Sequence, residues 1–146
     1  MDKLIKIGSR KIGEGYRPFI IAEISANHNQ SFIKAKKLIY AAYNAGVDAI
    51  KLQTFLPSDL TLNVNKKDFV INDKNSLWHG YSLYDLYKKA FTPWKWHQKL
   101  FKLAKKLNLI AFSSVFDEKD VKKLVKIGVP AFKIASFENN HFPLIK

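Results

Sequence analysis

The distribution of apolar residues predicts a buried strand near the N-terminus, from Phe19 to Ser25. Apolar side chains follow one another there without the alternation of a half-exposed strand, which is typical of a strand covered on both faces of a parallel sheet. One carboxylate, Glu23, lies near the far end of this run. A charged residue at that point suits a site built where parallel strands end, but a strand that has merely reached solvent has the same pattern.

Three further strands follow, each preceded by a stretch with helical periodicity. They are predicted at Asp48–Thr54, Leu109–Ser114 and Ala131–Ser136. Strands that alternate with helices predict βαβ crossovers and a parallel sheet. Half of a (βα)8 barrel and a four-stranded open sheet both fit this order. Ahead of it, residues 1–17 alternate weakly around glycines and predict a short hairpin that caps the sheet.

Favourable N-cap residues mark the starts of three helices between the strands. The predicted helices follow Ser31 and end at Asn44, follow Thr92 with Pro93 as the first helical residue and end near Leu107, and follow Asp117 and end at Lys126. In the last of these helices, Val121, Leu124 and Val125 are predicted to face the sheet.

A long polar stretch, residues 55–92, follows the second predicted strand. It contains Trp78 and a helical-looking segment at 83–87. Loops of this length inside a compact domain are usually lids or binding loops. Trp78, Trp94 and Trp96 are therefore expected to be core or lid anchors rather than platforms that stack on bases.

The composition describes one ordinary soluble domain. The chain has 146 residues, of which 47% are apolar and none is cysteine. A disulfide framework, a thiolate metal site and a thiol nucleophile are thereby excluded. No apolar run approaches the roughly 20 residues that span a bilayer, and the first residues lack the apolar core of a signal peptide. We expect a cytoplasmic protein with no membrane partner.

The net charge of +13 raises the question of a nucleic-acid partner. Arg10 and Arg17 are the only arginines, although phosphate and guanine recognition relies heavily on arginine. The lysines are scattered over outward helix positions, which is typical of solvated helix faces. We therefore expect no nucleic-acid partner, while a basic surface would still attract a small anionic substrate.

Polar residues recur where each of the four predicted strands ends. They are Glu23, Lys51, Gln53, Ser113, Ser114, Lys133, Ser136 and Glu138. Lysines inside apolar strands are costly unless a counter-charge neutralises them. A structural salt bridge to Glu23 or Glu138 would supply that charge. Alternatively, the two lysines and the hydroxyls hold a small dianion such as phosphate, beside carboxylates that are free for proton transfer.

The four histidines suggest no metal site in this chain. His28 and Asn29 follow the first strand and are expected at the rim of the pocket, but His28 has no partner at ligand spacing. For His79, His97 and His141 a surface or packing role is expected.

Four ordered motifs resemble the sialic acid synthase family. They are Phe19–Asn29, Ile50–Thr54, Phe112–Phe116 and Phe132–Glu138. Three further segments are similar to the pseudaminic acid synthase branch of that family: Leu77–Trp78, Ser82–Tyr87 and Thr92–His97. The resemblance implies an enzyme that condenses phosphoenolpyruvate with an amino sugar, here a 2,4-diacetamido-2,4,6-trideoxy hexose, to give pseudaminic acid and phosphate.

The resemblance also implies roles for the residues at the strand ends. Glu23 matches the glutamate that assists proton transfer or positions the attacking water. The positions that hold phosphoenolpyruvate in the family are matched by Lys51, Ser114, Lys133 and Ser136. Gln53 and Glu138 match positions that face the sugar. A divalent metal (Mn2+, Mg2+ or Co2+) is implied for the whole enzyme, with its two histidines outside this chain.

In the family, eight barrel strands precede a C-terminal antifreeze-like domain, and the whole protein is a domain-swapped homodimer. The chain is therefore expected to be the N-terminal part of such a barrel, with the hairpin at 1–17 and four βα units at 18–146, and to be inactive alone. Val115 stands where the family usually has proline, and Asn139-Asn140 is nearer the neuraminate branch. N-acetylneuraminic or legionaminic acid synthase is thus the alternative, and a non-catalytic basic binding module the second.

Overall fold

A computed structural model describes residues 4–146 as a small hairpin followed by a parallel sheet with helices on one face. The strands are β1 (Ile5–Ile7), β2 (Arg10–Ile12), β3 (Ile21–Glu23), β4 (Ala49–Thr54), β5 (Ile110–Val115) and β6 (Phe132–Ile134). β1 and β2 pair antiparallel, and the other four form a parallel sheet in the order β3-β4-β5-β6. The predicted hairpin and parallel sheet are confirmed; residues 1–3, which belong to the predicted hairpin, lie outside the described residues.

Six helices connect or follow the strands within residues 4–146. They are α1 (Phe32–Asn44), α2 (Pro57–Leu60), α3 (Leu83–Ala90), α4 (Trp94–Lys106), α5 (Glu118–Lys126) and α6 (Phe142–Ile145). Two of the predicted N-caps are confirmed, because the side chain of Ser31 accepts a hydrogen bond from the amide of Lys34 and that of Asp117 from the amide of Lys119. No helix of the described part is long and apolar enough to cross a lipid bilayer.

The predicted N-cap at Thr92 is wrong. α4 begins at Trp94, and Pro93 occupies the N-cap position with φ −55° and ψ 130°. Thr92 is buried, and its hydroxyl contacts the ring of His28 instead of an amide of α4. The inward position predicted for Val125 is also wrong, since this side chain is 59% exposed. It lies one residue from the buried Leu124, about 100° further around the helix.

The outer strands are shorter than predicted. The extended backbone of β3 stops because Ser25 has φ +46°, and β6 stops because a 3₁₀ turn begins at Ser136. The expectation that β3 is buried on both faces is wrong as well: Ile20 is 48% and Ile21 38% exposed. β3 is an edge strand of the described sheet, and one of its faces has no helix packed on it.

The core lies between the sheet and the helices α1 and α4. Its fully buried members include Ile39, Ile50, Leu52 and Leu100. A smaller cluster forms where β5 and β6 meet α5 and α6, around Val115, Leu124 and Leu144. Alternate residues of the strands point into these clusters. The other half of the strand side chains therefore lies on the sheet face that carries no helix.

An ion cluster holds the hairpin against the N-terminal end of the sheet. The carboxylate of Asp48, with a side chain 4% exposed, lies 2.6 Å from the guanidinium of Arg17 and 3.4 Å from Nε of Arg10. It also accepts a hydrogen bond from the amide of Ile20 at 2.9 Å. Both arginines of the chain are thus used to fix the hairpin, as the predicted cap requires.

Candidate active site

The strand register places five of the predicted site residues on the helix-free face of the sheet. Glu23 is in register with Lys51, Gln53 with Ser114, and Ser114 with Lys133. Neighbours in register, and residues two apart on one strand, point to the same side of a parallel sheet. These five side chains therefore share one face near the C-terminal ends of the strands.

Lys51 and Glu23 form a close ion pair. The ammonium of Lys51 donates to Oε1 of Glu23 at 2.6 Å. The lysine side chain is only 10% exposed, whereas that of the glutamate is 59% exposed. A charge-assisted hydrogen bond of this kind offsets the cost of burying the ammonium group. The salt bridge that the sequence offers as the alternative to an anion site is thus present, and most of the carboxylate still faces solvent.

Lys133 has no such partner. It is half-buried, and within residues 4–146 no carboxylate lies within ion-pairing distance of its ammonium group. Its neighbour in register, Ser114, is 2% exposed. A half-buried cation without a counter-charge is unfavourable in the free protein and attracts an anion. The sheet face therefore carries an excess of positive charge beside a buried hydroxyl-bearing residue.

Two of the predicted residues lie beyond the sheet rather than on it. Ser136 and Glu138 belong to the 3₁₀ turn after β6, where Ser136 is exposed. Oε2 of Glu138 lies 3.1 Å from Nδ1 of His141, so the two side chains are within hydrogen-bonding distance of each other. The turn follows the C-terminal end of β6, and both residues are thus at the same end of the sheet as the other five.

His28 is not at the rim of a pocket. It is fully buried, its Nδ1 accepts the amide hydrogen of Gln30 at 3.2 Å, and its Nε2 lies 3.3 Å from the hydroxyl of Thr92. Burial lowers the pKa of His28, and nearby Lys34 lowers it further. His28 therefore has a packing role, whereas Asn29 does line a cleft, of about 490 Å³.

A buried polar cluster on the helix-facing side was not predicted. Nε2 of His97 lies 2.8 Å from the hydroxyl of Thr54, which lies 2.7 Å from the hydroxyl of Ser113. Burial lowers the pKa of His97 to about 4, although hydrogen bonds with the backbone of Pro93 and Trp94 oppose this. Ser113 thus points away from the candidate site. The three residues are far apart in sequence, and no local pattern signals their contact.

The described residues do not assemble a metal site. No group of three or more histidine, aspartate or glutamate side chains in residues 4–146 is arranged to hold an ion. The pair of Glu138 and His141 brings two potential ligands together, which is fewer than protein metal sites use. The donor set within residues 4–146 is therefore not sufficient to hold the divalent metal that the resemblance implies, and the two histidines implied for that metal are expected outside this chain.

Comparisons with known proteins identify the family. A family model described as the NeuB family matches residues 38–146. The chain belongs to the NeuB family. It is 50% identical over 122 residues to a pseudaminic acid synthase of Campylobacter jejuni, a match that covers 84% of this chain and 35% of that protein. It is 46% identical over 129 residues to the pseudaminic acid synthase of Helicobacter pylori, covering 88% of this chain and 37% of that protein.

The solved structures agree with this NeuB assignment. A crystal structure of N-acetylneuraminic acid synthetase from Leptospira borgpetersenii, in complex with citrate, superimposes with a TM-score of 0.81 at 29% identity. The match covers 99% of this chain and 45% of that one. The four βα units are therefore a partial (βα)8 barrel rather than an unrelated open sheet. The chain spans about a third of the length of the curated relatives it matches, for example 35% of the Campylobacter protein.

Proposed function

We propose that this chain supplies the phosphoenolpyruvate-binding part of a synthase that makes pseudaminic acid from phosphoenolpyruvate and a 2,4-diacetamido-2,4,6-trideoxy hexose. The observation that carries the proposal is the half-buried, unpaired Lys133 beside Ser114, on the same sheet face as the Lys51–Glu23 pair. The identity of 46% and 50% to two pseudaminic acid synthases supports the choice of sugar.

The dianionic phosphate and the carboxylate of phosphoenolpyruvate are the groups that this face would bind. Lys133 and Lys51 provide the two cations, and the hydroxyls of Ser114 and Ser136 provide hydrogen-bond donors. Charge-assisted hydrogen bonds to a dianion are stronger than neutral ones. Binding would also relieve the cost of holding Lys133 half-buried without a counter-charge. Ser136 lies on a turn and not on a strand, so it would contact the ligand from the edge of the site.

In the proposed reaction, the methylene carbon C3 of phosphoenolpyruvate attacks the aldehyde carbon of the open-chain sugar, whose oxygen takes up a proton. Water then adds to C2, the carbon that bears the phosphate oxygen, and the tetrahedral intermediate loses phosphate by cleavage of the bond between C2 and that oxygen. Glu23 would accept the proton of the attacking water, because its exposed carboxylate retains an oxygen beyond the one bound to Lys51. Gln53 and Glu138 would hydrogen-bond the sugar.

The whole protein, rather than this four-stranded sheet, is proposed to be the catalyst. We expect the isolated chain to release no phosphate from phosphoenolpyruvate in the presence of Mn2+ and the diacetamido sugar. A domain-swapped homodimer and a cytoplasmic location of the whole protein are parts of the same proposal.

Titration of the 15N-labelled chain with phosphoenolpyruvate tests the binding step. We expect chemical-shift changes at the amides of Lys51, Ser114 and Lys133, and a loss of affinity of about tenfold in Lys133→Gln. Lys122→Gln is the matched control, because it removes the same charge from an exposed position on α5. Binding that is equally weakened by both substitutions, or no shifts on the sheet face, would overturn the proposal.

A further inference from the structure

A mostly apolar cleft opens beside the candidate site, on the side of β3. Its volume is about 490 Å³. Its wall is formed by Ala26, Asn29, Trp78, Leu86, Tyr87 and Ala90, together with the polar residues Gln30 and Lys89. Ala26, Asn29 and Gln30 follow Glu23 closely in the chain, whereas the others belong to the long segment between β4 and α4. The cleft therefore lies between the loop after β3 and the segment that the sequence predicted to be a lid or a binding loop.

The loop after β3 is held in an unusual backbone conformation. Ser25, Asn29 and Gln30 have φ values of +46°, +47° and +55°, in the left-handed region that non-glycine residues rarely adopt. The carboxamide of Gln30 fixes the loop to the end of α3 by donating to the carbonyls of Lys89 at 3.1 Å and Phe91 at 2.6 Å. Strain that the surroundings maintain in this way is concentrated at binding and catalytic sites.

Aromatic contacts connect the far wall of the cleft to the ends of the central strands. The ring of Tyr87 packs edge-on against Phe55, with centroids 6.0 Å apart, and Phe55 packs in the same manner on Phe116 at 5.6 Å. Phe55 follows the last residue of β4, and Phe116 follows the last residue of β5. The wall of the cleft is thus packed, through Tyr87 and Phe55, against the C-terminal ends of β4 and β5.

The chemistry of the cleft suits the part of the proposed sugar that distinguishes it from N-acetylmannosamine. The diacetamido sugar has a second acetamido group and a methyl group where N-acetylmannosamine has a hydroxyl and a hydroxymethyl group. Methyl groups prefer an apolar wall, which Leu86, Ala90 and the half-exposed indole of Trp78 provide. Asn29 is the neighbouring carboxamide that is suited to hydrogen-bond an amide.

We propose that this cleft binds the second acetamido group and the methyl end of the sugar, and that Trp78 determines the choice between the two sugars. The inference rests on the proposed function for the identity of the sugar. It adds a subsite outside the sheet face, formed by the loop after β3 and α3. Trp78 is a specificity-determining residue in this arrangement, and it takes no part in the bond-forming steps.

The test is a titration of the 15N-labelled chain with the diacetamido sugar and, separately, with N-acetylmannosamine. The diacetamido sugar is expected to shift the indole signal of Trp78 and the amides of Ala26 and Ala90. Trp78→Ala should weaken its binding by about tenfold and leave N-acetylmannosamine unaffected. Trp78→Phe should restore most of the affinity, since the aromatic wall is retained. Leu77→Ala is the matched control, because Leu77 is adjacent but 95% exposed.

Two results would overturn the cleft assignment. One is the absence of shifts in the cleft at tens of millimolar diacetamido sugar, and the other is an equal loss of affinity for both sugars in Trp78→Ala. Thermal unfolding of each variant verifies that it is folded. Phosphoenolpyruvate shifts at Lys51 and Lys133 report separately on the proposed function. If they occur without sugar binding in the cleft, only the inference fails; if the sugar binds there but phosphoenolpyruvate does not bind, only the proposed function fails.

Discussion

Both ends of the parallel sheet contain buried charged groups, but the pairing of these groups with counter-charges differs between the two ends. At the N-terminal end, the carboxylate of Asp48 is matched by two guanidinium groups and a backbone amide. At the C-terminal end, the carboxylate of Glu23 pairs with Lys51 and that of Glu138 contacts His141, while Lys133 has no carboxylate partner within the described residues. One end is thus a neutralised structural cluster, in which only Nε of Arg10 is buried without a hydrogen-bond partner in the described part of the chain. The other end has a cation without a counter-charge among the described residues.

This difference agrees with the general behaviour of (βα)8 barrels, in which the C-terminal ends of the strands carry the chemistry and the N-terminal ends carry stability. Here the distinction has a physical cause. A buried ion whose hydrogen-bonding groups are paired within the protein is not available to bind a ligand. Removal of one member of such a pair leaves an uncompensated charge. A half-buried lysine without a partner costs stability in the free protein, and a bound anion would recover that cost.

Acidification should lower the folding stability through the buried His97 at the C-terminal end of the sheet. This is the largest effect on stability that we expect. The pKa of His97 is lowered from 6.5 to about 4, chiefly by burial, with Lys123 and His28 adding repulsion. A histidine whose folded-state pKa is lowered binds protons more readily when unfolded, so stability is complete above pH 6.5 and falls as the pH drops to about 4. The loss should reach about 3 kcal/mol, measured by urea unfolding.

His97→Gln should remove most of this pH dependence, because glutamine does not titrate in that range. His79→Gln is the control, since His79 is exposed and its replacement should leave the slope unchanged. The pKa of His28 is lowered too, so a smaller slope of the same sign should remain in His97→Gln. An unaltered slope in His97→Gln would show that the Thr54–His97–Ser113 cluster is not the acid-sensitive element.

Asp48→Ala should be the most damaging substitution at the N-terminal end. It leaves Arg10 and Arg17 without their common partner and the amide of Ile20 without an acceptor. Because the arginine side chains are 29% and 60% exposed and are able to reach water, we expect a loss of about 2 kcal/mol. Phosphoenolpyruvate affinity should not change. Asp68→Ala, at an exposed position, is the control, and an equal loss there would refute the assignment of Asp48 as the anchor.

Glu23→Gln should lower the stability least of these substitutions, and it should strengthen anion binding. The side chain of Glu23 is 59% exposed, and glutamine retains an oxygen that accepts a hydrogen bond from the ammonium of Lys51. We therefore expect a loss of only about 1 kcal/mol, although the side chain of Lys51 is 10% exposed. Loss of its negative charge should strengthen phosphoenolpyruvate binding by roughly two- to threefold, because Lys51 becomes free for the ligand. Glu14→Gln, exposed near the hairpin, should change neither quantity. Weaker anion binding in Glu23→Gln would mean that the pair organises the site instead of competing with the ligand.

Local patterns in the sequence were sufficient for much of the architecture. The order of strands and helices and the caps at Ser31 and Asp117 depend on neighbouring residues, and all are present. The cap at Thr92 was wrong because a contact with His28, 64 residues away, takes its hydroxyl. The prediction that β3 is buried on both faces was wrong because an apolar run shows that its side chains favour burial. It does not show which neighbouring elements cover them.

The sequence by itself determined which residues stand at the ends of the strands, because the alternation of apolar strands and capped helices is encoded over short distances. Only the tertiary structure decided which of those residues meet. The register sets Glu23 beside Lys51 and leaves Lys133 beside Ser114. Tertiary packing also brings Arg10 and Arg17 to Asp48, and it places Trp78 in the wall of the cleft. These contacts join residues distant in sequence, so they depend on packing and register that no local pattern specifies.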